Sequence, residues 1–177
     1  NTLENISFHM MIDSDDKGAH KWNIDIINKY LHNFDNDDWD CISFNREGFY
    51  DIWALLYDDI KQHSFGYNPG DCPKIISMIR EDIINRLQNL ESNSIEVLSA
   101  FNGFAMYKTE RFRGFHYDGL YENFRELFTD LEREKTVEVI EKRFNLIVEI
   151  NHKAFGDQCC EHLFYHVSAF KKGRKIK

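Results

Sequence analysis

Proline is nearly absent from this chain: Pro69 and Pro73 are the only two in 177 residues, so long regular elements run uninterrupted elsewhere. Glycine forms none of the patterns G-x-x-x-x-G-K-[ST], G-x-G-x-x-G or G-x-S-x-G. That leaves a P-loop, a dinucleotide fold and a serine triad without support. The four cysteines, Cys41, Cys72, Cys159 and Cys160, follow no regular spacing, and adjacent cysteines rarely pair, so reduced thiols are expected. No signal peptide and no apolar run of transmembrane length are present, and a cytoplasmic location is the expectation. A net positive charge is also lacking. The net charge of -8 argues against a nucleic-acid surface and against docking on anionic membrane. It does not exclude a phosphate ligand, because a bound metal reverses the local sign.

What is present fits one globular domain over residues 1–177, with 42% hydrophobic and 29% charged residues. The chain opens without Met and closes on Lys171-Lys172-Gly173-Arg174-Lys175-Ile176-Lys177. Both ends read as trimmed from a longer protein.

Hydrophobic periodicity predicts alternating strands and helices. A strand covers Ile6 to Ile12 and an amphipathic helix Trp22 to Phe34, followed by a short strand from Trp39 to Phe44. Asn45-Arg46-Glu47-Gly48 is a turn, and residues 63 to 73 are a loop. Pro73 then opens a helix carrying Ile76, Ile79, Ile83, Leu87 and Leu90 on one stripe, ending between Asn89 and Asn93. Ile95 to Tyr107 is a strand interrupted by Gly103. A helix from Tyr121 to Leu131, a strand from Phe144 to Ile150 and a helix from Cys159 to Phe170 complete the chain. The class is α/β or α+β with a mixed sheet flanked by helices.

The most informative stretch is Phe8-His9-Met10-Met11-Ile12-Asp13-Ser14-Asp15-Asp16, an apolar strand that ends in three crowded carboxylates. Such crowding is costly unless a cation or hydrogen-bond donors offset it, and Mg²⁺ or Mn²⁺ carrying phosphate oxygens is the usual partner. The competing reading is an acidic, solvated turn. In Cys160-Glu161-His162-Leu163-Phe164-Tyr165-His166, His162 and His166 share one helical face at i, i+4, a spacing that can chelate a metal. The competing reading there is an aromatic amphipathic helix with polar edges. His116 and His152 read as loop or surface residues. Glu47, Asp51 and Trp53 sit among aromatic rings, an arrangement that can hold a sugar as readily as it can edge a core. Asn102 and Gly103 interrupt an apolar strand, and Gly103 would let a ligand lie against the backbone.

Taken in order, four blocks resemble a glycosyltransferase of the GT-A type. They are Met-Ile-Asp-Ser-Asp-Asp, Asn-Arg-Glu-Gly-Phe-Tyr-Asp-Ile-Trp-Ala-Leu, Ser-Ala-Phe-Asn-Gly-Phe-Ala-Met-Tyr-Lys and Cys-Glu-His-Leu-Phe-Tyr-His. The chain is most similar to large-virus and microbial sugar transferases related to fungal capsule mannosyltransferases. The resemblance implies a GT-A-like α/β sheet, of which this chain is the later part: only about a dozen residues precede the D-x-D, where the family carries a nucleotide-binding β-α-β half. It implies Mn²⁺ or Mg²⁺ held by Asp13 and Asp15 on the diphosphate of a nucleotide-sugar donor, with His166 first and His162 second as the completing histidine. Glu161 falls where inverting members place the base that activates a hydroxyl of a glycan or protein acceptor. Asp51, Glu47 and Trp53 would line the sugar or acceptor pocket, with Asn102 and Gly103 as its floor. Leu56 departs from the arginine that the family often carries there. Two other functions remain open on the residues alone. One is a metal-dependent nuclease or phosphatase using Asp13, Asp15, Asp16 and Glu47. The other is a non-catalytic interaction domain.

Overall fold

A computed structural model describes residues 7–13, 23–33, 38–45, 51–62, 66–67, 70–90, 94–151 and 156–177 of the chain. Asp15, Asp16, Glu47 and His152 lie outside the described residues.

The architecture is mixed α/β, built on a small antiparallel sheet. Strand β1 (Phe8–Ile12), helix α1 (Ile24–His32) and strand β2 (Cys41–Ser43) come first, then a 3-10 turn at Ile52–Ala54 and helix α2 (Cys72–Asn89). Strand β3 (Phe104–Lys108) follows, then helices α3 (Thr109–Phe112), α4 (Tyr121–Glu126), α5 (Asp130–Phe144) and α6 (Glu161–Phe170). The strand order is β1-β3-β2, and both pairings are antiparallel. A mixed sheet was the expectation. The one parallel element among the described residues is the carboxyl-terminal segment, where Ile176 bridges Cys41. Ser43 N–H donates to the Lys177 carbonyl at 2.7 Å, and Lys177 N–H returns a bond to Cys41 at 2.9 Å. The same segment meets Val97 on its other side.

Strand alternation sorts the sheet into two faces. His9 pairs with Tyr107, Met11 with Ala105, and Cys41 and Ser43 stand opposite Tyr107 and Ala105. This set faces the larger core, closed by Ile75, Ile79 and Ile83 of α2, Ile140 of α5 and Leu163 of α6. Phe104, Met106 and Ile42 point the other way, onto Ile27 of α1 and Trp39. Central β3 is buried on both faces, which explains why its sequence is continuously apolar.

Several boundaries differ from the sequence expectation for identifiable reasons. The buried stripe of α2 runs Cys72, Ile75, Ile79 and Ile83, and Leu90 is exposed. The strand foreseen from Ile95 shrinks to β3 plus isolated bridges at Val97 and Ser99. Gly103 adopts φ +86°, a left-handed turn that a continuous strand does not contain. No named strand spans Phe144 to Ile150, because Phe144 closes α5 and Asn145 is its left-handed cap at φ 51°. Helix α5 itself lacks an apolar stripe, burying only Thr136 and Ile140.

Reciprocal capping defines the start of α5. Thr129 Oγ1 accepts from Glu132 N–H at 3.2 Å, while the Glu132 carboxylate accepts from Thr129 N–H at 2.9 Å. Lys61 Nζ reaches the same carboxylate at 3.1 Å. Burial opposes the Glu132 charge, but the Thr129 backbone and hydroxyl bonds and Lys61 outweigh it and hold the carboxyl at about 2. A folded-state value below the unfolded 4.5 means that the stabilisation is complete above pH 4.5 and fades as pH falls toward 2. Glu132→Ala is therefore expected to cost about 1–2 kcal/mol at pH 7 and to lower the melting temperature by several degrees. Melting curves of the two proteins should converge near pH 2–3.

Candidate acidic site at the end of the sheet

Alternation along β1 puts Asp13 on the face already occupied by His9 and Met11, toward the larger core. The Asp13 N–H donates to the Gly103 carbonyl at 3.0 Å, which extends the β1–β3 ladder by one residue. Next to it, Asn102 Oδ1 accepts from Asp51 N–H at 3.1 Å, and Asn102 N–H donates to Ser43 Oγ at 3.2 Å. The Asn102–Gly103 turn thus ties together the end of β1, the end of β2 and the 3-10 turn. Both residues hold neighbouring backbone in place, a role distinct from the pocket floor expected of them. Asp51 caps that 3-10 turn, its Oδ1 accepting from Ala54 N–H at 3.3 Å. Trp53 is half-buried on the turn and packs on the larger core.

Helix α6 closes the site. Glu161 is exposed on its first turn, where the helix dipole favours a carboxylate. His162, 8% exposed, stacks on Phe101 with ring centroids 3.8 Å apart and an interplanar angle of 12°. The charges of these groups reach one another. Burial raises the Asp51 carboxyl to about 6, with Asp13 and Glu161 adding repulsion and the Ala54 and Trp53 N–H groups opposing. Burial lowers His162, while Glu161 and Asp13 work in the other direction. Burial raises the Cys160 thiol, with Asp51 as the next cause. Asp13, Asp51, Glu161 and His162, from three distant stretches of sequence, therefore share one electrostatic neighbourhood. The buried Nδ1 of His162 has no hydrogen-bond partner among the described residues.

The two histidines foreseen as alternative metal ligands are divided between different tasks. His166 is 0% exposed and lies behind His162, with centroids 5.8 Å apart. Its Nδ1 is 3.1 Å from Ser99 Oγ and its Nε2 is 2.9 Å from the Tyr107 hydroxyl. With both ring nitrogens engaged inside the core, His166 loses its place as first-choice ligand, and His162 is the histidine beside the carboxylates. Tyr117 joins them unforeseen. It is 36% exposed, stacks on Tyr165 at 4.3 Å and meets His162 edge-on at 5.2 Å. Its hydroxyl donates to Met11 Sδ. The signal was the aromatic run Phe115-His116-Tyr117 in a segment outside any helix or strand. His116 is exposed, as expected.

Among the described residues, no group of three or more His, Cys, Asp or Glu side chains is placed to hold a metal ion. The second D-x-D carboxylate, Asp15, and Glu47 lie outside that set. All four cysteines are free and buried. No helix among the described residues is long and apolar enough to cross a membrane. A cavity of about 430 Å³ lies apart from the carboxylates, between Tyr30 of α1, Ile42 of β2 and Ile83 and Leu87 of α2. Comparison of the chain with family models, with curated proteins and with solved structures finds no match.

The raised Asp51 carboxyl has a consequence for stability. A folded value of about 6 above the unfolded 3.8 means that the native state holds this proton more tightly. The penalty is absent at pH 3.8 and below, grows as pH rises to 6, and is complete beyond it. Asp51→Asn is expected to be about 1–3 kcal/mol more stable than the parent at pH 7.5 in metal-free buffer, allowing for partial solvent screening. Denaturant titrations at pH 7.5 and pH 4 should show that gain and its disappearance.

Proposed function

We propose that this chain is part of a metal-dependent glycosyltransferase that moves a sugar from a nucleotide-diphosphate donor to a hydroxyl of a glycan or protein acceptor. The observation that carries this reading is that the charges of Asp13 and Glu161 act on both Asp51 and His162, an imidazole whose buried Nδ1 lacks a partner among the described residues. A buried polar atom without a partner is unfavourable and signals a missing one. A carboxylate and an imidazole are donors that Mn²⁺ accepts, carboxylates with water suit Mg²⁺, and the other D-x-D carboxylate, Asp15, would be the further donor. Each of the four blocks that carry the GT-A resemblance contributes residues to this region: Asp13, Asp51, Asn102 with Gly103, and Glu161 with His162.

In this reading Asp13 and His162 would hold the cation together with Asp15. When bound, the cation supplies Lewis-acid offset of the charge that develops on the departing nucleoside diphosphate. Glu161 is the carboxylate open to solvent, and so the one placed to take the proton of an acceptor hydroxyl. Asp51, half-protonated near pH 6, can both donate to and accept from a sugar hydroxyl. The partly exposed ring of Tyr117, edge-on to His162, offers an apolar surface to the C–H face of a sugar.

Mn²⁺ at a hundred times its dissociation constant is expected to raise the melting temperature by about 5–10 °C. Asp13→Ala and His162→Ala should abolish that shift. With Mn²⁺ and a panel of nucleotide sugars, release of nucleoside diphosphate should fall at least about a hundredfold in Asp13→Ala. Metal indifference of melting, or phosphodiester cleavage without sugar transfer, would contradict the proposal.

A further inference from the structure

We infer that His166 is a positioning residue: through Ser99 it fixes the 3-10 turn that presents Asp51 to the acidic site. This deepens the reading above, because it rests on Asp51 belonging to that site. The inference comes from counting protons along a buried chain of hydrogen bonds. Ser99 Oγ lies 2.7 Å from the Ala54 carbonyl, which can only accept, so the single hydroxyl proton of Ser99 points there. Ser99 Oγ must then accept from His166, whose Nδ1 lies 3.1 Å away and carries the ring proton. Nε2 is left with its lone pair and accepts from the Tyr107 hydroxyl at 2.9 Å. Burial, reinforced by neighbouring His162, keeps the ring neutral. Ser99, Ala54, Tyr107 and His166 are each 0% exposed, so water does not compete for these bonds.

The direction of this chain matters because Ala54 is held from both sides. Its carbonyl is fixed by Ser99, and its N–H donates to Asp51 Oδ1 at 3.3 Å. The peptide before Asp51 is held separately by Asn102. Ser99 is itself anchored by backbone bonds to Leu56, with Leu56 N–H donating to the Ser99 carbonyl at 2.9 Å. A histidine buried in the core thus sets the aim of a carboxylate at the surface of the site without touching it. An asparagine in place of His166 can reproduce the Nδ1 donor to Ser99, whereas a glutamine reaches only the Nε2 position.

Nitrogen-15 spectra of the side-chain imidazoles and amide hydrogen exchange test this directly. In the wild-type chain His166 is expected to be neutral, with the proton on Nδ1 and none on Nε2. Exchange of the Ala54 amide should accelerate at least tenfold in His166→Gln and in Ser99→Ala, and stay within twofold of wild type in His166→Asn. The opposite tautomer or a charged ring in the wild-type chain overturns the inference, and that measurement needs no variant to fold. Unchanged Ala54 exchange in Ser99→Ala, or equal acceleration in His166→Asn and His166→Gln, overturns it as well. Absence of metal-dependent sugar transfer alongside the expected tautomer and exchange would remove the transferase reading and leave the bracing role of His166 standing.

Discussion

The Asn102–Gly103 turn is the constraint on which the site depends. One residue presents a side-chain amide and the next a carbonyl, and together they satisfy the backbone N–H groups of Asp51 and Asp13. Gly103 reaches this geometry at φ +86°, where a side chain would be strained. Asn102 also anchors Ser43, so the ends of β1 and β2 and the 3-10 turn converge on two residues. Carboxylates at the tips of separate elements would repel and splay apart if their backbones were free. Here burial, with repulsion from Asp13 and Glu161 adding to it, raises the Asp51 carboxyl to about 6 while the geometry is kept.

Behind the turn, the interior divides by chemistry. The face of the sheet toward α1 is closed mainly by apolar and aromatic contacts, with Phe44 stacked on Phe104 at 5.0 Å and Lys108 Nζ over the Trp39 ring at 5.1 Å. The opposite face carries a polar thread, from the Ala54 carbonyl through Ser99 and His166 to Tyr107, inside a shell of Phe112, Tyr165 and Phe101. Fully satisfied polar threads of this kind specify one arrangement of a core, because any alternative leaves a donor or acceptor buried and unpaired. Among the described residues, His162 departs from that rule at Nδ1, and it does so within reach of the charges of Asp13 and Glu161. The contrast between a satisfied His166 and an incompletely partnered His162, four residues apart on α6, separates a bracing role from a binding one.

Much of this was legible in the sequence. The apolar run ending in Asp13 gave its strand, and the stretch from Cys159 to Phe170 gave its helix, observed over Glu161–Phe170, because periodicity and charge placement agree in both. Asp51 stood out as a carboxylate among aromatic residues and Glu161 through the family resemblance, and the charge of Glu161 does reach Asp51. Helix α5 was missed because its charged sequence lacks an apolar stripe. Its signature was the Thr129-x-x-Glu132 capping box, a local signal that hydrophobic periodicity does not report. The order of His162 and His166 was illegible, since i, i+4 spacing puts both on one helical face and does not say which one meets Ser99 and Tyr107. The role of Ser99 was invisible for the same reason, because it arises from distant contacts, and Tyr117 left only its short aromatic run as a signal.

The central claim is that the tip of β1 and the first turn of α6 form a single electrostatic unit. The most direct test follows the His162 imidazole by NMR across pH in metal-free buffer, in the parent chain and in Asp13→Asn. Burial already lowers His162, and Asp13 opposes that effect, so removing the Asp13 charge should move its titration to lower pH still. An unchanged His162 titration in a folded Asp13→Asn protein would place the two residues in separate environments and contradict the account.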